Sequence, residues 1–256
     1  MKSTLASDAG LTKDAFLSGR LHVWQPLKGY RAGVDPVLLA ASVQATAGQS
    51  VLELRCGVGT ASLCLARRVP GLQMIGLELQ PDYADLARRN AAENRIEMQV
   101  VTGDLGQMPS ELRNCSFDHV FANPPYFLRS HSTAADNTGR EASLGEGVSL
   151  SIWVDAAIRR LKPKGRLAMI QRTDRLPEIL AACDQRVGDL KILPIAARTG
   201  RAADLVLVHA RKGSKGAFRL LSPLVMHRGD RHLADGESYT DQVNGILRNA
   251  KRLKVE

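Results

Sequence analysis

Short apolar runs alternate with longer amphipathic stretches over most of the chain. The apolar runs have the length of buried strands, and the stretches between them repeat apolar residues at helical spacing. The seven predicted strands are residues 50–54, 73–79, 98–101, 117–122, 166–171, 190–195 and 205–210. The predicted helices are residues 60–68, a helix that starts at 81, and residues 151–161 and 176–186. Because only the last two strands lack a helix between them, the pattern predicts an α/β fold with a mostly parallel seven-stranded sheet and a C-terminal antiparallel hairpin.

Two further elements are predicted before the first core strand. Residues 16–24 alternate apolar and polar side chains around Ser18 and Gly19, which indicates a small hairpin. Asp35 followed by Pro36 is typical of a helix start, with Asp35 as the N-cap. This helix is predicted to end near residue 48. Residues 1–12 are small and polar, and we expect them to be disordered.

Length and composition are consistent with one large globular domain or a domain with an extension. The 256 residues are 44% apolar, which is enough to form a full core. No run approaches the length of a membrane span, and residues 1–12 lack the apolar stretch of a secretory signal. The four cysteines are scattered, with no metal-type or redox-type pairing. We therefore expect a cytoplasmic protein with no membrane partner and no metal site.

Positive charge is concentrated near the C-terminus. The formal net charge is +9, and residues 211–256 hold ten Lys or Arg against five acids. A basic helix is predicted there, from about residue 240 to 253. A basic surface suits a polyanionic partner such as RNA, although charge alone fits an ordinary solvated surface equally well. Four further cations that could hold phosphates are Arg159, Arg160, Lys162 and Lys164.

These features divide the chain into three predicted parts. They are an N-terminal extension (1–47) that packs on the core, a core (48–238) and a basic C-terminal helix or tail (239–256).

A glycine-rich turn follows the first core strand. Gly57 and Gly59 let the backbone approach a ligand closely, because a side chain would occupy the volume of the ligand. Glu53, at the end of the strand, can accept a hydrogen bond from a ligand amine. Glu78 ends the next strand, 19 residues after Gly59. A carboxylate at that distance suits a ribose diol, so the unit is typical of nucleotide binding.

The fourth strand ends in Asn123-Pro124-Pro125-Tyr126. Two prolines fix the backbone and leave carbonyl oxygens with no donor of their own nearby. The Asn123 amide beside them makes a cluster of acceptors that can hold an exocyclic amino group, and Tyr126 offers a flat face for stacking. The alternative is a strand-ending turn with an aromatic plug.

Carboxyl ends of parallel strands meet at one edge of a sheet, where ligands bind. Glu53, Glu78 and Asn123 all lie at such ends, and so does Asp104, which is placed to accept from the amino group of an adenine. A polar loop, about 130–147, follows Tyr126 and is interpreted as a lid on the substrate side.

These motifs in this order resemble the class I S-adenosylmethionine-dependent methyltransferases that act on planar amino nitrogens. Residues 29–40, Gly-Tyr-Arg-Ala-Gly-Val-Asp-Pro-Val-Leu-Leu-Ala, narrow the resemblance to the bacterial tRNA1(Val) adenine-N6 methyltransferases and their relatives. The similarity runs from Asp14 to about Thr240.

The resemblance implies a Rossmann-like fold, S-adenosylmethionine as methyl donor, and tRNA as partner, with methyl transfer to an adenine near the anticodon. The implied catalytic residues are Asn123, Pro124, Pro125 and Tyr126. The implied cofactor-binding residues are Arg31, Asp35, Glu53, Arg55, Cys56, Gly57, Gly59, Glu78, Leu79, Asp104, Leu105 and Asn123.

One residue departs from the family pattern, because Arg55 stands where the family has the first glycine of the turn. A cation there would sit badly beside a sulfonium. The side chain either swings out to solvent, pairs with Glu53 or the carboxylate of the donor, or lowers donor affinity. Two alternatives to an RNA adenine-N6 methyltransferase therefore stay open. One is a protein glutamine-N5 methyltransferase, and the other is a catalytically impaired RNA-binding member of the family.

Overall fold

The computed structural model describes residues 10–126, 148–229 and 238–255. The strands are β1 Leu11–Phe16, β2 Leu21–Pro26, β3 Ser50–Leu54, β4 Gln73–Glu78, β5 Gln99–Thr102, β6 Phe117–Ala122, β7 Leu161–Arg172, β8 Val187–Ala196, β9 Ala203–Lys212, β10 Arg219–Leu220 and β11 Leu224–Val225. The helices are α1 Asp35–Ser42, α2 Thr60–Arg68, α3 Pro81–Glu93, α4 Ser110–Arg113, α5 Leu150–Arg160, α6 Leu176–Ala182 and α7 Asp241–Asn249, with a 3-10 turn at Thr173–Arg175. The predicted lid lies outside the described residues.

The main sheet has the order β10-β8-β9-β7-β6-β3-β4-β5, and β11 also pairs with β8. Strands β3 to β7 run parallel, while β9 is antiparallel to both β7 and β8. The predicted parallel sheet with its C-terminal hairpin is therefore confirmed. The short strands β10 and β11 were not predicted, and they run parallel to β8 at its outer edge. From β3, the chain first adds β4 and β5 on one side and then returns to add β6 and β7 on the other side. At this switch in strand order a crevice opens, where β3 and β6 end side by side.

Helices cover both faces of this sheet. Alternating residues of β6 face opposite sides, so that Phe121 joins one core cluster and Val120 joins the other. The first cluster includes residues of α1, α2 and α7, and the second includes residues of α5 and α6. None of the described helices combines the length and the apolar character that a membrane crossing needs.

The N-terminal hairpin is confirmed, although its strands are longer than residues 16–24 and β1 begins at Leu11. Helix α1 ends at Ser42 rather than near residue 48. Its last carbonyl groups are capped from another helix, since the Arg68 guanidinium donates to the Ala40 and Val43 oxygens at 2.9 and 2.5 Å. Such a tertiary cap leaves no signal in the local sequence.

Two other predicted helices are also shorter than expected. The helix predicted for 176–186 ends at Ala182, because β8 already begins at Val187. The C-terminal helix ends at Asn249 instead of 253. Ala250 takes a left-handed conformation with φ 52°, and the chain then runs extended so that Leu253 is buried. The division into extension, core and tail stays a prediction.

Candidate active site

A cavity of about 240 Å³ opens at the carboxyl edge of the sheet, where β3, β4 and β6 end. It brings together most of the residues that the sequence singled out. The predicted residues that line it are Asp35, Glu53, Arg55, Cys56, Gly57, Glu78, Asn123, Pro124, Pro125 and Tyr126. The other lining residues come from the segment before α1, from α1, α2, α3 and α5, and from the turns after β3 and β4.

Glu78 fixes the glycine-rich turn. One of its carboxylate oxygens accepts from the Gly57 amide at 2.8 Å and the other from the Gln80 amide at 2.9 Å. Burial raises the pKa of this carboxyl, while the amide donors and the neighbouring Arg55 oppose the shift. Gly57 has φ +57°, and a Cβ added to it would point into open space. The turn therefore presents bare backbone and a held carboxylate to the cavity.

Glu53 anchors helix α2 as well as lining the cavity. Its carboxylate accepts from the Ser62 amide at 3.0 Å and from the Ser62 hydroxyl at 2.5 Å. Burial raises the pKa of Glu53 to about 8, and the charge of Glu78 adds to the effect. The side chain is thus already engaged within the protein at one oxygen.

Arg55 does not swing out to solvent, and it does not pair with Glu53. Its side chain is only 12% exposed and reaches Asp104, with the guanidinium 3.7 Å from a carboxylate oxygen. The guanidinium also lies 5.8 Å from the ring centroid of Trp153. The backbone is left-handed, with φ 51°, which is the conformation that a glycine adopts without strain. Arg55 therefore occupies a backbone conformation that favours glycine, and its side chain links the ends of β3 and β5.

The Asn-Pro-Pro-Tyr segment is held from the N-terminal side by two residues. The Tyr126 hydroxyl donates to the Asp35 carboxylate at 2.6 Å. The prediction that Asp35 is the N-cap of α1 is wrong. Val34 takes the N-cap position, and no side chain caps the helix. The Asn123 amide nitrogen donates to the Tyr30 hydroxyl at 3.3 Å. The amide nitrogen of Asn123 is thereby engaged, while its side-chain oxygen has no hydrogen bond to a described residue and can accept one from a ligand.

The sequence predicts that the prolyl carbonyls have no donor nearby, and the structure shows that this prediction is wrong. The Gln171 amide nitrogen lies 3.4 Å from both the Pro124 and the Pro125 oxygens. Arg175 adds a bond to the Pro125 oxygen at 3.3 Å. These distances are long, and a carbonyl has two lone pairs, so the Pro124 oxygen can accept a second donor from a ligand.

The sequence-based reading missed several residues of the site. Tyr30 lies inside the 29–40 motif but was not assigned a role. Gln171 is fully buried at the end of a predicted strand, and a polar residue in that place is a usable signal. Trp153 lines the cavity from α5, and nothing in its surrounding sequence marks it.

Five predicted cofactor-binding residues lie outside the cavity lining. Arg31 donates to Asp14 at 2.5 Å and to Thr12 at 2.6 Å, so it ties the hairpin to the following loop. Gly59 packs against α3, where an added Cβ would lie 3.4 Å from Ala87. Leu79, Asp104 and Leu105 are the other three, of which Asp104 approaches the cavity through Arg55. Their contacts with a cofactor stay predictions.

Comparison of the amino-acid sequence with known proteins identifies the family of this chain. A profile of the methyltransferase small domain matches residues 32–191. A tRNA1(Val) (adenine(37)-N6)-methyltransferase of Porphyromonas gingivalis is 34% identical over 174 residues, which are 65% of this chain and 68% of that protein. The enzyme of the same name from Aeromonas hydrophila is 26% identical over 222 residues, which are 86% of this chain and 92% of that protein.

Solved structures of other methyltransferases have the same fold as this chain. A crystal structure titled as a predicted O-methyltransferase of Agrobacterium tumefaciens has a TM-score of 0.69 and 27% identity, and the match covers 87% of this chain and 99% of that one. A 16S rRNA N2 G1207 methyltransferase of Thermus thermophilus, solved with AdoMet and guanosine, has a TM-score of 0.56. It is 18% identical, and the match covers 79% of this chain and 50% of that one, so the likeness concerns the fold alone.

The residues present suit S-adenosylmethionine. Open space beside Gly57 leaves room for a ligand against the backbone, and the carboxylate of Glu78 suits a diol. Thr60 lines the same cavity, and its buried hydroxyl oxygen has no hydrogen-bond partner among the described residues. Such an orphaned polar atom is expected where a ligand completes a site. The chain therefore belongs to the methyltransferase small domain family and, within it, to the S-adenosylmethionine-dependent methyltransferases whose curated members are named tRNA1(Val) adenine-N6 methyltransferases.

Proposed function

We propose that the enzyme methylates the exocyclic N6 of an adenine in tRNA, with tRNA1(Val) as the first substrate to test. The observation that carries this proposal is that Asn123 and Pro124, which follow β6, both line the cavity and each supply an oxygen that can accept a hydrogen bond from an amino group. The names of the curated relatives support the choice of RNA. The net charge of +9 supports a polyanionic substrate.

The amino group of adenine is a poor nucleophile, because its lone pair is delocalised into the ring. When bound, S-adenosylmethionine would supply an electrophilic methyl group and leave as S-adenosylhomocysteine, and the methylated nitrogen would lose one of its two protons to solvent. Asn123 and the Pro124 carbonyl accept hydrogen bonds from the two amino protons and draw the nitrogen towards a tetrahedral shape. Tyr126 and Tyr30 supply rings beside these acceptors, and such fixed positioning can lower the barrier by several kcal/mol.

The same acceptors argue against a hydroxyl substrate. An oxygen nucleophile needs a base that removes its single proton. The carboxylate that contacts the Asn-Pro-Pro-Tyr segment, Asp35, already accepts from Tyr126. Neutral acceptors for two protons match an amino or amide nitrogen instead.

For the donor, we propose that Glu78 accepts from the ribose hydroxyls and that the Gly57 turn lies against its nucleoside. Glu53 and Thr60 line the same cavity and are proposed to complete the donor site. Asp104 is assigned to the adenine of the donor, as the family resemblance implies. The cytoplasmic location stays a prediction.

A glutamine side-chain amide would fit the same acceptors, so a release-factor substrate is the second candidate. Incubation with labelled donor and either total bacterial tRNA or a peptide release factor separates the two. Label in tRNA is the expected result. Label in the release factor alone would replace the proposal, and label in neither would favour a protein that binds RNA without modifying it.

Tyr30 is expected to position Asn123. Tyr30→Phe removes the hydroxyl that holds the Asn123 amide, so kcat should fall roughly tenfold while KM for RNA stays unchanged, because the ring remains. Burial and the charge of Asp35 raise the pKa of Tyr30, so its phenol stays neutral near pH 7. Steady-state kinetics beside Tyr239→Phe, which lies outside the cavity lining, provide the measurement and the control. A wild-type kcat in Tyr30→Phe would refute this role.

Arg55 is expected to weaken donor binding. Arg55→Gly removes a cation from the cavity wall and frees Asp104, so donor affinity measured by calorimetry should increase roughly three- to tenfold, or about 0.7–1.4 kcal/mol. Arg55→Ala removes the same cation but keeps a Cβ at a left-handed position, so it separates the charge effect from the backbone effect. Weaker donor binding by both variants would show instead that the guanidinium contacts the donor.

A further inference from the structure

Some cations of this protein pair with a nearby carboxylate. Lys13 pairs with Glu93 at 2.7 Å, and Arg186 pairs with Asp155 at 2.9 Å. Three of the four cations that were predicted to hold phosphates near residue 160 have partners within the protein, whereas Lys164 forms no ion pair in the described part of the chain. Arg159 pairs with Asp155, Lys162 pairs with Asp118, and Arg160 donates to the Leu112 and Arg113 carbonyls. These residues end α5 and begin β7, on the edge of the sheet opposite the cavity.

Several cations have no carboxylate partner in the described part of the chain, and tertiary contacts bring one group of them together. Three parts of the chain supply it, namely the β1–β2 turn, the last turn of α2 and the segment after α7. Its members, which we call the C-terminal basic surface, are Arg20, Arg67, Arg68, Lys251, Arg252 and Lys254. None of these six forms an ion pair with a carboxylate in the described part of the chain. Five of the six are exposed, and Arg68 is half-buried.

Tertiary contacts bring these parts together. The Arg20 guanidinium lies 3.4 Å from the Asn249 carbonyl at the end of α7. The Leu253 amide donates to the Ala41 carbonyl at 2.9 Å, which binds the tail to the end of α1. Arg68 caps the same helix end. Arg68 and Lys251 also line the same small cavity, so Arg20, Arg68 and the tail cations form one surface, with Arg67 next to Arg68 in the last turn of α2.

The sequence around this surface contains no acid at all. Residues 15–34, 36–52, 60–77 and 242–255 hold neither Asp nor Glu. Burial and the like charge of Arg252 lower the pKa of Arg68 to about 10. Like charges held together without counter-charges disfavour the folded state, so an arrangement of this kind suits a surface whose counter-charges arrive with a partner.

The segment after α7 holds its cations in fixed positions at the surface. Leu253 is 1% exposed and Val255 is 5% exposed, so both are anchored in the core. Arg252 and Lys254 alternate with them along the extended segment and face the solvent. Fixed cations lose less side-chain and backbone freedom on binding than a disordered tail would.

The surface lies too far from the cavity to touch the target base. Helix α2 begins in the cavity at Thr60 and reaches Arg67 and Arg68 at its other end, which is roughly 12 Å along the helix. Strand β2 separates the cavity side from Arg20 by six residues, or roughly 20 Å. An RNA that reaches both places must extend well beyond the target nucleotide.

We propose that the C-terminal basic surface binds backbone phosphates of the tRNA outside the target loop, and that it acts on affinity rather than on chemistry. This inference rests on the proposed function. RNA is favoured over other polyanions because the same molecule must also place a base in the cavity.

The test compares Lys251→Glu/Arg252→Glu/Lys254→Glu with the wild type on a full-length tRNA1(Val) transcript and on its isolated anticodon stem–loop. The variant keeps both anchors, Leu253 and Val255. We expect Kd for the full-length tRNA to rise roughly 10- to 100-fold, and the slope of log Kd against log salt concentration to fall by about two to three. Binding and methylation of the stem–loop should stay within twofold of the wild type.

The matched control is Arg113→Glu/Lys164→Glu/Lys215→Glu, which makes the same change of net charge at exposed cations elsewhere that also form no ion pair in the described part of the chain. Equal losses in the control and the variant, or equal losses on both RNAs, would overturn the inference. Unchanged tRNA binding with lost binding to phosphatidylglycerol vesicles would overturn it too, in favour of a membrane surface. Absence of methylation by the wild type on every RNA would instead count against the proposed function.

Discussion

Replacement of Asn123 by Ala is expected to abolish most of the methyl transfer while it leaves the fold intact. Asn123 supplies one of the two acceptors at the cavity, and its described side-chain bond within the protein goes to Tyr30. Loss of one preorganised partner of the reacting group typically lowers kcat by about 10²–10³-fold, or roughly 2.7–4 kcal/mol. Single-turnover kinetics with saturating donor and tRNA measure this loss at the chemical step.

Two further variants show whether the loss of activity comes from the missing acceptor oxygen. Asn123→Asp keeps an acceptor oxygen, so it should retain more activity than Asn123→Ala. Asn114→Ala removes an exposed asparagine after α4 and should behave as the wild type. If the Ala variant bound donor much more weakly but turned over normally at saturation, Asn123 would be a cofactor residue rather than a catalytic one.

Glu78→Ala is expected to have the largest effect on donor binding. The carboxylate holds the Gly57 and Gln80 amides and would also accept from the donor. Hydrogen bonds to a charged group contribute about 1.5–3 kcal/mol, so Kd for S-adenosylmethionine should rise roughly 100-fold. Calorimetry or equilibrium dialysis on the purified protein gives this value without any RNA.

Glu97→Ala is the matched control, because it removes the same charge from an exposed position. Its donor affinity should equal that of the wild type. Glu78→Gln keeps one acceptor oxygen and should lie between the two. Equal donor affinity in Glu78→Ala and the wild type would move the ribose contact to another residue.

The regular part of the fold is predictable because its signals are local. Strands β3 and β6 begin and end where the sequence predicts, at residues 50–54 and 117–122. Helix α2 also matches its predicted bounds. Apolar runs, glycine turns and prolines all act within a few residues, so a linear pattern captures them.

The contacts that hold the catalytic segment are not local. Tyr126 and Asp35 are 91 residues apart in sequence, and Asn123 and Tyr30 are 93 apart. The local sequence around Asp35 therefore predicts a helix cap, whereas in the fold its carboxylate accepts a hydrogen bond from the Tyr126 hydroxyl. Tertiary competition of this kind also explains the shorter helices and the pairing of Arg55 with Asp104.

The donor side of the site was easier to anticipate than the RNA side. Gly57 and Glu78 belong to one β-turn-α unit and the strand that follows, so their spacing carries the information. The unpaired cations of the C-terminal basic surface come from three distant segments. Their sequence positions show an excess of charge, but only the ion pairs of the fold show which charges remain available.

Identification of the methylated atom tests the central proposal most directly. Wild-type enzyme, donor and tRNA1(Val) are incubated, the RNA is digested to nucleosides, and the product is compared with standards by mass spectrometry. Acceptors for two amino protons predict N6-methyladenosine as the product, and its absence from the reaction with Asn123→Ala. A methyl group on a ring nitrogen, a ribose oxygen or a carbon would contradict the assignment of Asn123 and Pro124 as the groups that hold an exocyclic amine.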